Sequence, residues 1–386
     1  MLFTLQPAWS HVHAAMPFVL ALQERGHDVR VSSAPGTCLV LEEWGVSSLP
    51  AGPDWDVATV EEFLPGFLSG RTAGQLRALA GLASGCFSEL ALGCAAWRPD
   101  LVLRDASEFA GLLLARHLRV PVAVVGMTLA PTQAWLEQTV GRRVRRQADE
   151  LGVDLGEDLA AALAGELLLS PYPASFGWTD AGHPRELNVR PSTFAGGVRP
   201  RGGVPIEPAD VYATLGTVHN KGNRLLETIL RALDTAGLTV IATTGRDVDP
   251  QSLGPFSNRV RIERYVPQHA VMGGVSAVVS HAGFGTVMSA LTAGLPLSCI
   301  PLSMDHPATA ATCLALGLGT VITGDLMSTG LPVADPDQVT EDQVRAAVLP
   351  VLEDSGYRER AVAVAAEIAL LPDADQVCDV LEELGS

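Results

Sequence analysis

The chain has 386 residues, of which 26 are basic and 43 acidic, giving a formal net charge of −17; 47% are apolar and 18% charged. That is a globular composition, too long for one domain of roughly 100–200 residues and suited to two or three. An acidic surface of this size repels polyanions and argues against nucleic acid as a partner. Lys221 is the only lysine, which sets aside Schiff-base chemistry and a P-loop. The six cysteines show no C-x-x-C spacing and read as buried, reduced thiols. No basic-then-apolar leader opens the chain, and no apolar run reaches the ~18–20 residues of a membrane span. The expected location is cytoplasmic.

Leu2–Leu5 reads as a first apolar strand, followed by a loop over residues 6–12 and a helix over 14–25, stopped by Gly26-His27. Val29–Val31 alternates as the next strand. The same order returns as strand 101–103, helix 109–117 and strand 122–125. Residues 196–208, GGVRPRGGVPIEP, form a Gly/Pro cluster without periodicity and make the linker. Strands then fall at 211–215, 239–243, 260–262, 277–280 and 297–300, with helices at 223–236, 286–293 and 308–316. Three late helices follow at 342–353, 357–370 and 375–384. Strand–helix–strand units on short loops mean parallel sheets covered on both faces, and ligands in such sheets bind beyond the carboxyl ends of the strands.

The segment S-H-A-G-F-G-T, Ser280 to Thr286, ends a strand and opens a helix. Its glycines allow close approach, its first-turn N–H groups favour an anion, and His281 adds a donor. It is not G-x-G-x-x-G, so a nicotinamide fingerprint is absent. Upstream, R-Y-V-P-Q places Gln268, a donor and acceptor together, after an extended Val266-Pro267. In P-L-S-M-D-H, Asp305 and His306 could meet sugar hydroxyls or cap a helix. His11 and His13 are both general-base candidates in the first loop. Asp105 follows a parallel strand and could orient such a histidine, with Glu108 close enough to compete. The D-x-D at Asp247 and Asp249 reads as turn chemistry, and the Arg142–Arg146 cluster as a solvated helix face.

These motifs resemble actinobacterial antibiotic glycosyltransferases. S-H-V-H-A-A-M-P followed by A-L-Q-E-R-G-H-D-V is similar to the opening of that family, where a histidine precedes R-G-H by sixteen positions; His11 to His27 has that spacing and selects His11. Val211–Thr217, R-Y-V-P-Q, S-H-A-G-F-G-T and P-L-S-M-D-H-P follow the family's order over nearly the whole chain. The resemblance implies an α/β GT-B fold, with two doubly wound Rossmann-like domains facing across a cleft. An acceptor-binding domain would span 1–200, joined by a C-terminal helix at about 372–386, and a nucleotide-sugar-binding domain would span 209–371.

The implied reaction is inverting, metal-independent transfer of a (deoxy)sugar from a nucleoside diphosphate, expected to be thymidine diphosphate, to a hydroxyl of a polyketide- or enediyne-like aglycone. His11 would be the base and Asp105 its partner. Gln268 and the Val266 backbone would hold the nucleobase. His281, Gly283, Gly285 and Thr286, with Thr217 nearby, would hold the diphosphate, and Asp305 with His306 would meet the sugar. The expected partners are the aglycone and the nucleotide-sugar alone, with no cofactor, metal or membrane span; a homodimer is left open. Three residues depart from the family's pattern: Ala14 stands where it usually has Pro, Phe284 replaces a small, often Ser, residue, and His306 replaces the commoner Gln. The competing readings are a non-catalytic GT-B-like auxiliary or sugar-nucleotide-binding homologue, and a GT-B epimerase.

Overall fold

The computed structural model describes residues 1–54, 64, 72–129, 133–177, 185–191, 207–216, 224–245, 248–328 and 331–386. The chain divides into two compact units, Met1–Gly197 with Leu371–Ser386, and Val198–Leu370. Most of the 196–208 segment lies outside the described residues.

In the first unit, chain order runs β1 (Leu2–Thr4), α1 (Trp9–Glu24), β2 (Arg30–Ser33), α2 (Pro35–Glu43), β3 (Ser47–Pro50), α3 (Thr72–Gly93), β4 (Val102–Asp105), α4 (Ala110–Leu118) and β5 (Val122–Val125). Then come α5 (Gln133–Leu136), which continues through a π turn into α6 (Arg142–Leu151), α7 (Leu159–Ala164), β6 (Leu167–Ser170) and β7 (Glu186–Asn188). All strand pairings are parallel, in the order β3-β2-β1-β4-β5-β6-β7. Leu2 pairs with Arg30 on one side and Val102 on the other.

The two-residue period of the strands divides the core into layers. Phe3, Val31 and Leu103 point to the layer holding Val12, Met16 and Val19 of α1. Leu2 and Val102 point to the opposite layer, with Phe87 of α3 and Leu112 and Leu113 of α4. A strand covered on both faces is apolar over most of its length, which is why Leu2-Phe3 and L-V-L show no alternation.

The second unit comprises β8 (Ala209–Thr214), α8 (Arg224–Thr235), β9 (Val240–Thr243), β10 (Val260–Glu263), α9 (Gln268–Met272), β11 (Val275–Ser280), α10 (Phe284–Thr292), β12 (Leu297–Cys299), α11 (His306–Ala315) and β13 (Gly319–Val321). A small antiparallel hairpin, β14 (Leu326–Ser328) and β15 (Leu331–Val333), precedes α12 (Glu341–Glu353) and α13 (Ser355–Leu370). Its parallel sheet is ordered β10-β9-β8-β11-β12-β13. Val211, Ala213 and Val279 meet Leu226, Ile229 and Leu230 of α8 and Val344 and Val348 of α12 in its core.

The last helix, α14 (Ala374–Leu384), belongs to the first unit. It opens on a capping box of Asp373 and Gln376 and buries Val377, Cys378 and Leu381 in the α1 layer. Arg25 donates to Asp375 at 2.9 Å and Asp379 at 2.6 Å, and His27 pairs with Glu382 at 2.9 Å.

Predicted and observed helix starts differ most in α1, and by two residues in α10, α11 and α13, the last of which begins at Ser355 rather than 357. α1 begins at Trp9 rather than 14, α10 at Phe284 rather than 286, and α11 at His306 rather than 308. Ala8 and Gly283 cap their helices with no side-chain hydrogen bond, so the usual Ser/Asp start signal is missing. Burial of Val12 draws the S-H-V-H segment into the helix, so His11 is a first-turn helical residue and not a loop residue.

Candidate functional site

In both sheets the strand order reverses direction once, between β1 and β4 in the first unit and between β8 and β11 in the second. Loops leaving the carboxyl ends of these strand pairs diverge and leave a crevice where ligands bind. His11 follows β1, Asp105 ends β4 and His281 follows β11, at these positions; Gln268 follows β10, and Asp305 and His306 follow β12.

In the first unit, β1 leads through Gln6 into α1, and β4 ends on Asp105 itself. His11, with a side chain 21% exposed, pairs through Nδ1 with Oδ2 of the fully buried Asp105. Oδ1 of Asp105 accepts from the N–H and hydroxyl of Ser107, at 2.7 and 2.9 Å, and the Gln6 N–H reaches Oδ2 at 3.4 Å. Burial alone would push the Asp105 carboxyl up. The His11 charge and the hydrogen bonds from His11 and Ser107 outweigh it and hold the carboxyl below its ordinary value. An imidazole that donates from Nδ1 carries its basic lone pair on Nε2.

Glu108, the competitor for His11, is turned elsewhere. It accepts from Thr4 Oγ1 at 2.6 Å and from the N–H groups of Ala110 and Gly111 at 2.6 and 2.8 Å, at the start of α4. Burial pushes its carboxyl up against these bonds. His13 lies between Trp9 and Trp44, ring centroids 6.1 Å from each. Sequence reasoning missed Arg104, which is 1% exposed. Its guanidinium donates to the carbonyls of Asp105 at 3.0 Å, Ala106 at 3.1 Å, Glu108 at 2.9 Å and Leu163, and so fastens the loop that carries Asp105. Burial lowers its pKa to about 10. An arginine ending an apolar strand was the available signal, since a buried cation needs a prepared set of acceptors. A narrow cavity beside this loop is lined by Thr4, Gln6, Ser33, Leu79, Cys86 and Glu108.

In the second unit, β11 delivers Ser280 and His281 to the crevice and α10 starts at Phe284, so the backbone N–H groups of 284–286 form its first turn. Ala282, at φ 64°, makes the bend. The His281 ring, 8% exposed, lies against two glycines. A Cβ on Gly216 would come 2.6 Å from its Cε1, and one on Gly283 would come 2.4 Å from its Nε2. Gly216 was not singled out from the sequence; the Y-A-T-L-G run closing a strand was its signal.

Gln268 opens α9 and donates from Nε2 to Thr286 Oγ1 at 2.9 Å, which ties the R-Y-V-P-Q loop to α10. Val266 is half-buried and Gly285 exposed. Asp305 takes the N-cap position of α11 through its backbone carbonyl, which accepts from the Thr309 N–H at 3.0 Å. His306 is 4% exposed, and its ring stands edge-to-face against His281, centroids 4.5 Å apart and planes at 87°. The structure therefore brings Gln268 with Thr286, and His281 with Gly283 and His306. Thr217 and Asp247 lie outside the described residues. Asp249 caps a 3-10 turn by accepting from the Gln251 N–H, as turn chemistry predicts.

Among the described residues there is no group of three or more His, Cys, Asp or Glu side chains able to hold a metal ion. Among them, too, no helix is long and apolar enough to cross a membrane. Five cysteines are buried and Cys86 is half-buried, all as free thiols; burial pushes the Cys86 thiol up to about 12.

Residues 227–384 match a family described as erythromycin biosynthesis protein CIII-like, C-terminal domain. The chain is 32% identical over 174 residues to 4'-demethylrebeccamycin synthase of Lentzea aerocolonigenes, covering 45% of this chain and 38% of that protein. It is 24% identical to aclacinomycin-T 2-deoxy-L-fucose transferase of Streptomyces galilaeus, over 99% of this chain and 95% of that one. Two solved structures share its fold. Glycosyltransferase SnogD from Streptomyces nogalater has a TM-score of 0.79 at 22% identity, covering 100% of this chain and 99% of that one. Glycosyltransferase VinC in complex with dTDP has a TM-score of 0.78 at 21% identity, covering 100% and 98%. The resemblance carried by the sequence motifs is thus borne out, and the fold is GT-B.

Proposed function

We propose that this chain, a relative of antibiotic glycosyltransferases with the GT-B fold, transfers a sugar from a nucleoside diphosphate to a hydroxyl of a secondary-metabolite aglycone. The observation that carries the reading is the His11–Asp105 pair at the switch point of the first sheet. The buried carboxylate fixes the tautomer and stabilises the imidazolium, and Nε2 takes the proton of the acceptor hydroxyl. The oxygen then attacks the anomeric carbon from the face opposite the diphosphate, which leaves with inversion. In the second unit the α10 start and His281 meet the charge that builds on the leaving diphosphate. Gln268 and the Val266 backbone take the nucleobase, Thr217 adds to the phosphate side, and Asp305 meets the sugar. A thymidine nucleotide is the donor favoured by the likeness to VinC, which was solved with dTDP.

Local donors matter because the net charge of −17 opposes a dianionic ligand. They also make a divalent ion unnecessary. Transfer is expected to proceed undiminished in excess EDTA; loss of the rate, restored by Mg²⁺ or Mn²⁺, would refute the metal-free mechanism. The test of the function itself is incubation with thymidine-diphosphate sugars and a panel of polyketide and other aglycones. The expected result is a glycoside by mass spectrometry with the anomeric configuration inverted in its NMR couplings. Donor binding without transfer to any acceptor would favour an auxiliary role, and release of an epimerised nucleotide-sugar without acceptor would indicate an epimerase.

A further inference from the structure

We propose that His306 is a positioning residue for His281, setting the plane of the imidazole that meets the donor diphosphate; the inference rests on reading the second unit as the donor site. Among the described residues, three surfaces lie against the His281 ring. Two are the backbones of Gly216 and Gly283, so close that neither position tolerates a Cβ. The third is the ring of His306, edge-to-face at 4.5 Å. These neighbours leave the ring little room to turn about its Cβ–Cγ bond.

His306 is itself set by its own loop. Its N–H donates to the Ser303 carbonyl at 3.1 Å, and the Ser303 N–H donates back to His306 Nδ1 at 3.2 Å. Met304, at φ 56°, closes the turn between them. This reciprocal pair has the logic of a capping box. It fixes the side chain from the backbone, places the neutral ring's proton on Nε2, and sets the ring at 87° to that of His281. An amide at 306, which the family resemblance leads one to expect, could accept from Ser303 but would present no ring. The departure at 306 thus exchanges a side chain suited to sugar hydroxyls for one that orients a phosphate donor. Orientation matters because a hydrogen bond weakens steeply as its angle closes, and a group held in place loses less freedom on binding.

The test is titration of thymidine diphosphate and of thymidine into the parent, His306→Asn and His306→Phe, with thermal melts as the check on folding. Asparagine keeps an acceptor for the Ser303 N–H and removes the ring; phenylalanine keeps a ring without Nδ1. In His306→Asn the diphosphate should bind about five- to twentyfold more weakly while thymidine stays within about twofold. His306→Phe should recover at least half of that loss on a logarithmic scale. If the asparagine protein does not fold, His306→Gln, nearer the imidazole in volume, is read in the same way. Unchanged diphosphate binding, or an equal loss for thymidine and thymidine diphosphate, would overturn the proposal. A parent that binds no thymidine diphosphate would remove the donor reading and this inference with it. A parent that binds it no better than His306→Asn removes this inference alone.

Discussion

His11 is paired through Nδ1 with the buried Asp105, and the proposed mechanism makes Nε2 the proton acceptor. His11→Ala should therefore lower turnover by about 10²–10⁴-fold, with thymidine diphosphate affinity unchanged by calorimetry. Near-normal turnover would take His11 out of the reaction. The partner carboxylate also carries a pH signature. The Asp105 pKa is depressed in the folded state, so its stabilisation is complete above the ordinary carboxyl value of about 4 and drains away as the pH falls through the folded value. Glu108, pushed up by burial, runs the other way, since acid favours its folded form. Asp105→Asn should thus lower the melting temperature at neutral pH and flatten its decline below about pH 4. A variant whose melting temperature parallels the parent's at every pH would show that Asp105 is not held ionised.

At the scale of elements, β11, the bend at Ala282 and α10 act as one device. The strand carries the chain to His281, the bend at Ala282 turns it, and the first-turn N–H groups of α10 follow, the arrangement that the proposed diphosphate site uses. Phe284 is buried, so its departure from a small polar residue serves packing and leaves its backbone N–H in the first turn. The glycines differ in what they permit. Gly283 lets the His281 ring come close to the backbone, whereas a Cβ on Gly285 meets nothing within 4 Å. Gly283→Ala is expected to displace the ring and weaken thymidine diphosphate binding by about tenfold or more. Gly285→Ala should melt with the parent. Equal affinities for the parent and Gly283→Ala would show that the ring position is not decisive.

For the whole molecule, α14 returns the chain end to the unit in which the chain begins. Leu381 is fully buried among Phe3, Val19 and Leu103, and Val377 and Cys378 share that layer. Arg25 reaches three carboxylates of the same helix, two of them on exposed side chains. Packing rather than charge fixes the helix, because solvent screens exposed pairs. Leu381→Ala should cost about 2–5 kcal/mol in denaturant unfolding, and Arg25→Ala much less. The reverse order would mean that α14 is held by its ion pairs.

The amino-acid sequence by itself determined the alternation of strands and helices, because apolar runs such as L-V-L and V-V-S encode burial on both faces of a parallel sheet. It also determined the order of the motifs, because glycines and histidines next to strand ends carry their chemistry in one dimension. Tertiary structure decided what depends on contacts distant in sequence. His11 lies in a helix because Val12 is buried, not because a residue caps it. The choice between Asp105 and Glu108 was open in sequence, three residues apart. It was closed by Arg104 gripping the loop carbonyls and Thr4 claiming Glu108. The sequence placed His306 among the candidate sugar contacts; only the fold shows its ring against His281, twenty-five positions away. Periodicity records which side of an element is buried; which neighbour a buried polar group finds there is fixed only when the sheet brings the strand ends together.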